Sequence, residues 1–317
     1  MRQISQKTIW PALILFLISI FFWAARTFWI GSPYSSEGFG ALGNAVYALA
    51  LLLLTLILAG GLGYKILRFF PVFDWTNSEI INLSLALGLG IFTYAIFGMG
   101  LMGLLQPIHF LCLLVLTCVF TRNELFLIVN NFKTAIAEIP NGLQETSFSR
   151  KILIGIGSGV FFLTLIQTLT PPFNYDGLMY HLQGPRLILE AGRILPIYEN
   201  WLTFYPFTSE MLNLFGMGLG SDIFARLIHF SCMLLILTST FGMAQRILPK
   251  PGGALAVAIL TGIPVLFLWS SQANNDLTVV LYQFLAISLF LMWIQKSATS
   301  LLILSGIMQG LAIGSKY

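Results

Sequence analysis

The chain has 317 residues, of which 57% are hydrophobic and only 9% charged, with a mean hydropathy of +0.87. A soluble domain is nearer half apolar and a quarter charged, so the composition excludes an ordinary soluble protein and points to a polytopic membrane protein. The net charge of +4 is accounted for by Lys and Arg anchoring loops on one side of a bilayer, and it does not call for nucleic acid.

A spanning helix needs about 20 apolar residues. The basic start MRQISQKTIW is followed by an apolar run reaching Ile30. That run is too long for a signal-peptide core and lacks a small-residue cleavage site, so it reads as a retained signal anchor over 9–30. Further spans are expected at 43–64, 80–105, 107–121, 152–170, 222–245, 253–270, 277–295 and 300–316. The predicted fold is all-α, a transmembrane helix bundle of about nine spans with amphipathic juxtamembrane helices in a large outer loop. The span at 107–121 is short enough to be re-entrant. Three parts are expected: an N-terminal group of about four spans over 1–121, an amphipathic cytoplasmic linker over 122–150, and a core over 151–317 with its outer loop at 170–221. In the linker, ELFLIVNNFKTAIAEI has the pattern of a helix lying on the inner membrane surface.

Basic residues set the orientation. With the N-terminus in the cytoplasm, the inner loops hold Arg2 and Lys7, Lys65 and Arg68, then Arg122, Lys133, Arg150 and Lys151, then Arg246 and Lys250, and Lys296. The outer loop at 31–42 and the turn at 106 carry none, as the positive-inside rule requires. The predicted location is a bacterial inner or plasma membrane. Gly155 and Gly159, the series Gly306, Gly310 and Gly314, and the run from Ala86 to Ile91 read as helix-packing positions, because no strand precedes them to make a nucleotide loop. Cys112, Cys118 and Cys232 sit inside apolar runs and form neither a disulfide framework nor a metal-ligand spacing.

The stretch from Thr170 to Glu210 departs from this pattern. It holds Asp176, His181, Arg186, Glu190, Arg193, Glu199 and Glu210, which lipid cannot solvate cheaply, so it lies outside the hydrocarbon. Pro171-Pro172 stops the preceding helix. Asn174 or Asp176 can cap a new short helix with Leu178, Met179 and Leu182 toward the lipid, and Thr208 to Met217 reads as another surface helix. Tyr198, Trp201, Phe204 and Tyr205 are the aromatic residues of an interface. Asp176 at the mouth of such a loop can serve as a general base or hold a divalent cation such as Mg or Mn, or it can simply cap. His181 is five residues on and does not share its face in a straight helix, so the spacing alone makes no dyad. Asp276, after Ser271-Gln272-Ala273-Asn274-Asn275, is a second acid on the same side, again as base, ligand or cap. Arg226, one turn into its span, and Lys316, at the end of the last, suit a phosphate, the alternative for Lys316 being snorkelling.

Over about 152–317 this set looks like the integral-membrane glycosyltransferases of the GT-C type, which use polyprenyl-phosphate-linked sugars. The resemblance is carried by PPFNYDGLMYHLQGP after a span, Y-P-x-x-S-E at Tyr205–Glu210, A-R-L at Ala225–Leu227, N-D at Asn275–Asp276 and the closing G-L-A-I-G-S-K-Y. It implies an acid of the first large outer loop as the catalytic residue, a position that falls on Asp176, with Asp276 as the acid of the second outer loop. His181 is a further candidate for the chemistry. Arg226 and Lys316 would serve the lipid phosphate, with Tyr180, Arg186 and Glu210 also at the substrate. Its implied partners are a polyprenyl-phosphate-linked sugar donor, a glycan, lipid or protein acceptor, and the bilayer. Four spans precede the region of resemblance, and such enzymes continue past the point where Tyr317 ends this chain, so the sequence is expected to be a fragment. The competing readings are a lipid-linked polysaccharide polymerase or ligase, a transporter or flippase, which predicts charges at the bilayer midplane, and a non-enzymatic assembly protein.

Overall fold

The computed structural model describes residues 39–70, 75–137, 148–249 and 252–316. The predicted anchor at 9–30 lies outside them, as do Arg2, Lys7 and Lys250. The described residues are helical, with no strand among them. The long helices are α1 (Phe39–Leu67), α2 (Asn77–Leu101), α3 (Pro107–Ala137), α4 (Phe148–Thr168) and α7 (Ile223–Ile247), then α8 (Gly252–Thr261), α9 (Pro264–Ser270), α10 (Asp276–Lys296) and α11 (Thr299–Ser315). Between α4 and α7 lie a π-helical turn (Gly177–His181), α5 (Gln183–Ala191), a 3-10 turn (Trp201–Phe204) and α6 (Glu210–Gly218).

Five helices, α1, α2, α3, α7 and α10, are long and apolar enough to cross a membrane, and α8 with α9 makes a sixth if that bent pair is one span. The expected nine are therefore not reached among the described residues. Two differences have clear physical causes. The apolar run at 253–270 is not one straight span: α8 and α9 meet at 70°. Pro264 opens α9 without an amide hydrogen, and Gly262 and Ile263 end α8 in tight turns onto Ala258 and Leu260. Conversely, the short span at 107–121 does not stop at its first charges. Arg122, Asn123 and Glu124 continue α3, which at 31 residues is about 45 Å long, more than a bilayer core. The amphipathic run from Glu124 to Ala137 is thus the end of α3 rather than a separate surface helix. Glu124 is tolerated because Lys65 (3.5 Å) and Arg68 (3.3 Å) from the end of α1 meet its carboxylate.

Helix α7 is central. One core cluster joins α1, α2, α3, α6 and the first half of α7, and Phe215 meets Phe92, Phe110 and Phe224 edge-on within it. A second joins α2, α7, α10 and α11. Close packing falls at some of the glycines expected to pack, Gly88, Gly90 and Gly314, and not at the others. A Cβ on Gly155, Gly159, Gly306 or Gly310 would meet nothing within 4 Å. The tightest crossing is between α1 and α2, at the run from Ala86 to Ile91, where a Cβ on Gly88 would lie 1.7 Å from the Ala59 carbonyl oxygen and one on Gly63 would lie 1.8 Å from that of Ser84. Gly88→Ala must push the two helices apart, and is expected to destabilise the bundle by about 1–3 kcal/mol, read as a lower melting point in detergent. A melt equal to the parent would refute this crossing.

The predicted surface helix over Thr208–Met217 is also corrected. All of Glu210 to Gly216 is buried, because α6 plugs the bundle between α2, α3 and α7. Gly216 and Gly218 leave no room for a side chain beside Phe224 and Phe110. The loop is further tied down where the Ile194 amide donates to the Gly100 carbonyl at the end of α2 (2.9 Å).

Candidate functional site

Helix direction sorts the charged groups into two ends. At one end Lys65 and Arg68 hold Glu124, Arg246 Nη2 donates to Glu79 Oε2 (2.6 Å), and Lys296 closes α10. Glu79 also completes the capping box of α2, accepting from the Thr76 amide at 2.8 Å. At the other end lie Asp176, Tyr180, His181, Glu210, Asp276 and Lys316.

Asp176 sits at helical dihedrals ahead of the π-helical turn, is exposed, and its side chain makes no cap bond. Gly177 is buried against the Asn174 side chain, at a spot where a Cβ would lie 2.4 Å from Asn174 Oδ1. Asn174 instead reaches across and donates from Nδ2 to Asn274 Oδ1 (2.9 Å), bringing the loop that carries Asp176 against the loop that precedes Asp276. The π-helical turn, closed by the Leu182 amide on the Gly177 carbonyl (2.9 Å), inserts one extra residue and turns His181 inward.

His181 and Glu210 are both buried and meet at 2.6 Å, His181 Nδ1 to Glu210 Oε1. The same oxygen accepts from Asn275 Nδ2 (3.0 Å), and Oε2 accepts from Ser209 Oγ (2.8 Å). Asn275 also donates to the Ser315 carbonyl (3.0 Å), and Asn213 Nδ2 donates to the His181 carbonyl (3.1 Å). Tyr180 lies half-buried with its ring 3.9 Å from that of His181. Burial first, and then the carboxylates of Asp176, Glu210 and Asp276, push its phenol up to about 12. It therefore stays protonated and can donate. Three acids from three segments thus bear on one phenol.

Asp276 is the first residue of α10, where a carboxylate favours the helix dipole. Lys316 Nζ donates to its Oδ1 at 2.7 Å, with nearly half of the lysine side chain exposed. The cation ending α11 thus reaches the head of α10, beside the loop of Asp176. Arg186 is half-buried on α5.

Arg226 is buried and is held largely by backbone. Its guanidinium donates to the carbonyls of Thr170, Pro171 and Ser271 and to Thr170 Oγ1, and it lies 5.2 Å from the Phe173 ring centre. Nη2 alone has no partner among the described residues. Sequence reasoning passed over the residue one turn on, His229. Its Nδ1 donates to the Trp269 carbonyl (2.9 Å), leaving Nε2 to accept the Leu277 amide (2.9 Å) and cap α10. Arg226 and His229, three residues apart on one helix face, together hold the loop between α9 and α10. That spacing was the available signal. Asn275 was given no role of its own, being read as part of the run before Asp276 and of the N-D pair.

Among the described residues no three His, Cys, Asp or Glu side chains gather, and Asp276 is taken up by Lys316.

The family profile of dolichyl-phosphate-mannose-protein mannosyltransferases, which are of GT-C type, matches residues 206–317. The resemblance read from the sequence therefore holds over that part, which carries Glu210, Arg226, His229, Asp276 and Lys316. Residues 152–205, with Asp176, lie outside the match. The chain is also 27% identical over 143 residues, 44% of its length, to an uncharacterized protein of Shigella flexneri, covering 71% of that protein. No solved structure matches it.

Proposed function

We propose that this chain is a membrane glycosyltransferase that moves a sugar from a polyprenyl-phosphate donor to an acceptor hydroxyl at the outer face of the membrane. The observation that carries the reading is the Asp276–Lys316 pair at 2.7 Å, partly exposed, beside the loop that presents the uncapped carboxylate of Asp176, within a chain whose residues 206–317 match a GT-C family. In the proposed reaction the acceptor oxygen attacks the anomeric carbon while Asp176 takes its proton. The bond from that carbon to the phosphate oxygen breaks, and the electron pair leaves with the polyprenyl phosphate. Lys316, held by Asp276, faces the departing phosphate and offsets the charge that develops there. Tyr180, protonated, can donate to the sugar or the phosphate, and Arg186 is a further cation of this loop.

A polymerase or ligase for lipid-linked polysaccharide would use the same face and differ in its acceptor. The bent α8–α9 pair is the feature a transporter would share, but its break at Gly262-Ile263-Pro264 carries no charged residue.

The test is transfer from radiolabelled polyprenyl-phosphate sugars by the protein in its own membranes. Labelled product that depends on the protein supports the reading, and no transfer from any such donor defeats it. The sidedness has its own check. Glu199 and Lys133 are exposed near opposite ends of the bundle. A cysteine at Glu199 should react in intact cells with an impermeant thiol reagent, and one at Lys133 should not. The reverse pattern would put Asp176 on the inner side.

A further inference from the structure

Glu210 cannot touch a substrate where it stands. It is fully buried, and its two carboxylate oxygens are shared among His181, Asn275 and Ser209. Those partners come from different parts of the chain. His181 closes the turn that begins beside Asp176, and Asn275 immediately precedes Asp276. Asn275 in turn donates to the carbonyl of Ser315, the neighbour of Lys316. Thr208, two residues before Glu210, donates its amide to the Gly314 carbonyl (3.2 Å), and its hydroxyl meets Ser315 Oγ (3.2 Å). One carboxylate therefore lies one residue from Asp276, two links from Lys316, and one imidazole away from the turn of Asp176.

We infer that Glu210 is the positioning residue that docks the loop of Asp176 onto the heads of α10 and α11, so that Asp176 faces the Asp276–Lys316 pair. The inference rests on the reading of those three residues as the reacting face. The docking itself has a readout that does not depend on catalysis. Asn174 and Asn274 meet at 2.9 Å across the two loops only if the loops are docked. Their polar contact is partly exposed and single, so it follows the docked state rather than creating it. Removing the Glu210 carboxylate leaves His181 and Asn275 buried without their shared acceptor, which favours release of the loop.

The experiment places cysteines at positions 174 and 274 and measures their rate of linkage by a short bifunctional thiol reagent in membranes. A second pair at positions 82 and 238, where Thr238 Oγ1 meets Asn82 Oδ1 at 3.0 Å between α2 and α7, reports on the rest of the bundle. Glu210→Ala is expected to slow linkage at 174/274 by about tenfold or more, with 82/238 unchanged. Glu210→Gln keeps an acceptor for Asn275 and should stay within a few-fold of the parent. Should Glu210→Ala fail to accumulate, Asn275→Ala removes its bonds to Glu210 and Ser315 while leaving the carboxylate with His181 and Ser209, and must shift the 174/274 rate in the same direction. Sugar transfer should fall along with linkage, and should recover once the slow-linking variant has been cross-linked. Linkage at 174/274 as fast in Glu210→Ala as in the parent would overturn the docking role. Slow linkage without recovery of transfer after cross-linking would overturn the positioning role. A parent without transfer activity would instead defeat the proposed function and leave the docking result standing.

Discussion

Asp176→Asn is expected to lower sugar transfer by about 10²- to 10⁴-fold at equal membrane levels, the usual worth of general-base help. The substitution keeps the size of the side chain and much of its hydrogen bonding, but removes the proton acceptor. The structure sharpens its meaning. A capping aspartate would also tolerate Asn, since the two cap about equally well. Asp176 makes no cap bond and is exposed, so the folded protein should not register the change at all. Thermal stability in detergent should match the parent while transfer collapses. If transfer stays within a few-fold of the parent, Asp176 is not the base and the assignment passes to Asp276. That move would carry its own difficulty, because Asp276 already holds Lys316 at 2.7 Å.

What was legible in the sequence follows from what periodicity and charge encode. Apolar runs gave the helices, and the lysines and arginines gave their sorting into two ends, because both depend on residue type alone. The interruption of α8 and α9 was written as Gly262-Ile263-Pro264, yet the apolar run across it hid the bend. The end of α3 was misplaced for the opposite reason. Charges at 122–124 looked like a loop, and only the tertiary partners of Glu124 make them compatible with a continuing helix. Helix α6 was the hardest. Its pattern is amphipathic enough for a surface, and nothing local says that Phe92, Phe110 and Phe224 will close around it. For the site, the sequence singled out Asp176, His181, Glu210, Asp276 and Lys316 but not how they lie together, and it passed over His229 and Asn275. Asp276 and Lys316, 40 positions apart, meet because α10 and α11 form a hairpin whose turn at Ser297 adopts a left-handed conformation. Asp176 and His181 do not share a face, as their separation of five implied, one lying at the surface and one in the interior, but the π-helical turn between them had no signal in the sequence.

Arg226→Met is expected to cost the folded protein rather than substrate affinity. In the sequence Arg226 resembles a phosphate ligand, being a lone cation one turn into a span. Its guanidinium instead joins the carbonyls of Thr170 and Pro171, at the end of α4, to that of Ser271, at the end of α9. Methionine matches the length and the apolar stem but donates nothing. Ser271 is buried, whereas Thr170 and Pro171 are exposed and can turn their carbonyls to solvent, so the full cost of an unpaired acceptor, about 1–3 kcal/mol, falls on Ser271. That is a real share of the roughly 5–15 kcal/mol that holds an ordinary domain. Lysine would not rescue the change, since one ammonium cannot reproduce a planar fork that reaches two chain segments at once. Both variants should therefore show reduced membrane levels and a melt well below the parent, with Arg226→Met the more severe. The contrast with Asp176→Asn is direct, because one change removes a proton acceptor from an intact fold and the other removes the tie between two helix ends. Should Arg226→Met accumulate and melt like the parent, and only raise the KM for the lipid-linked donor, then Nη2 is the part that matters. Arg226 would then act through a lipid phosphate, and the tie between α4 and α9 would have to come from elsewhere.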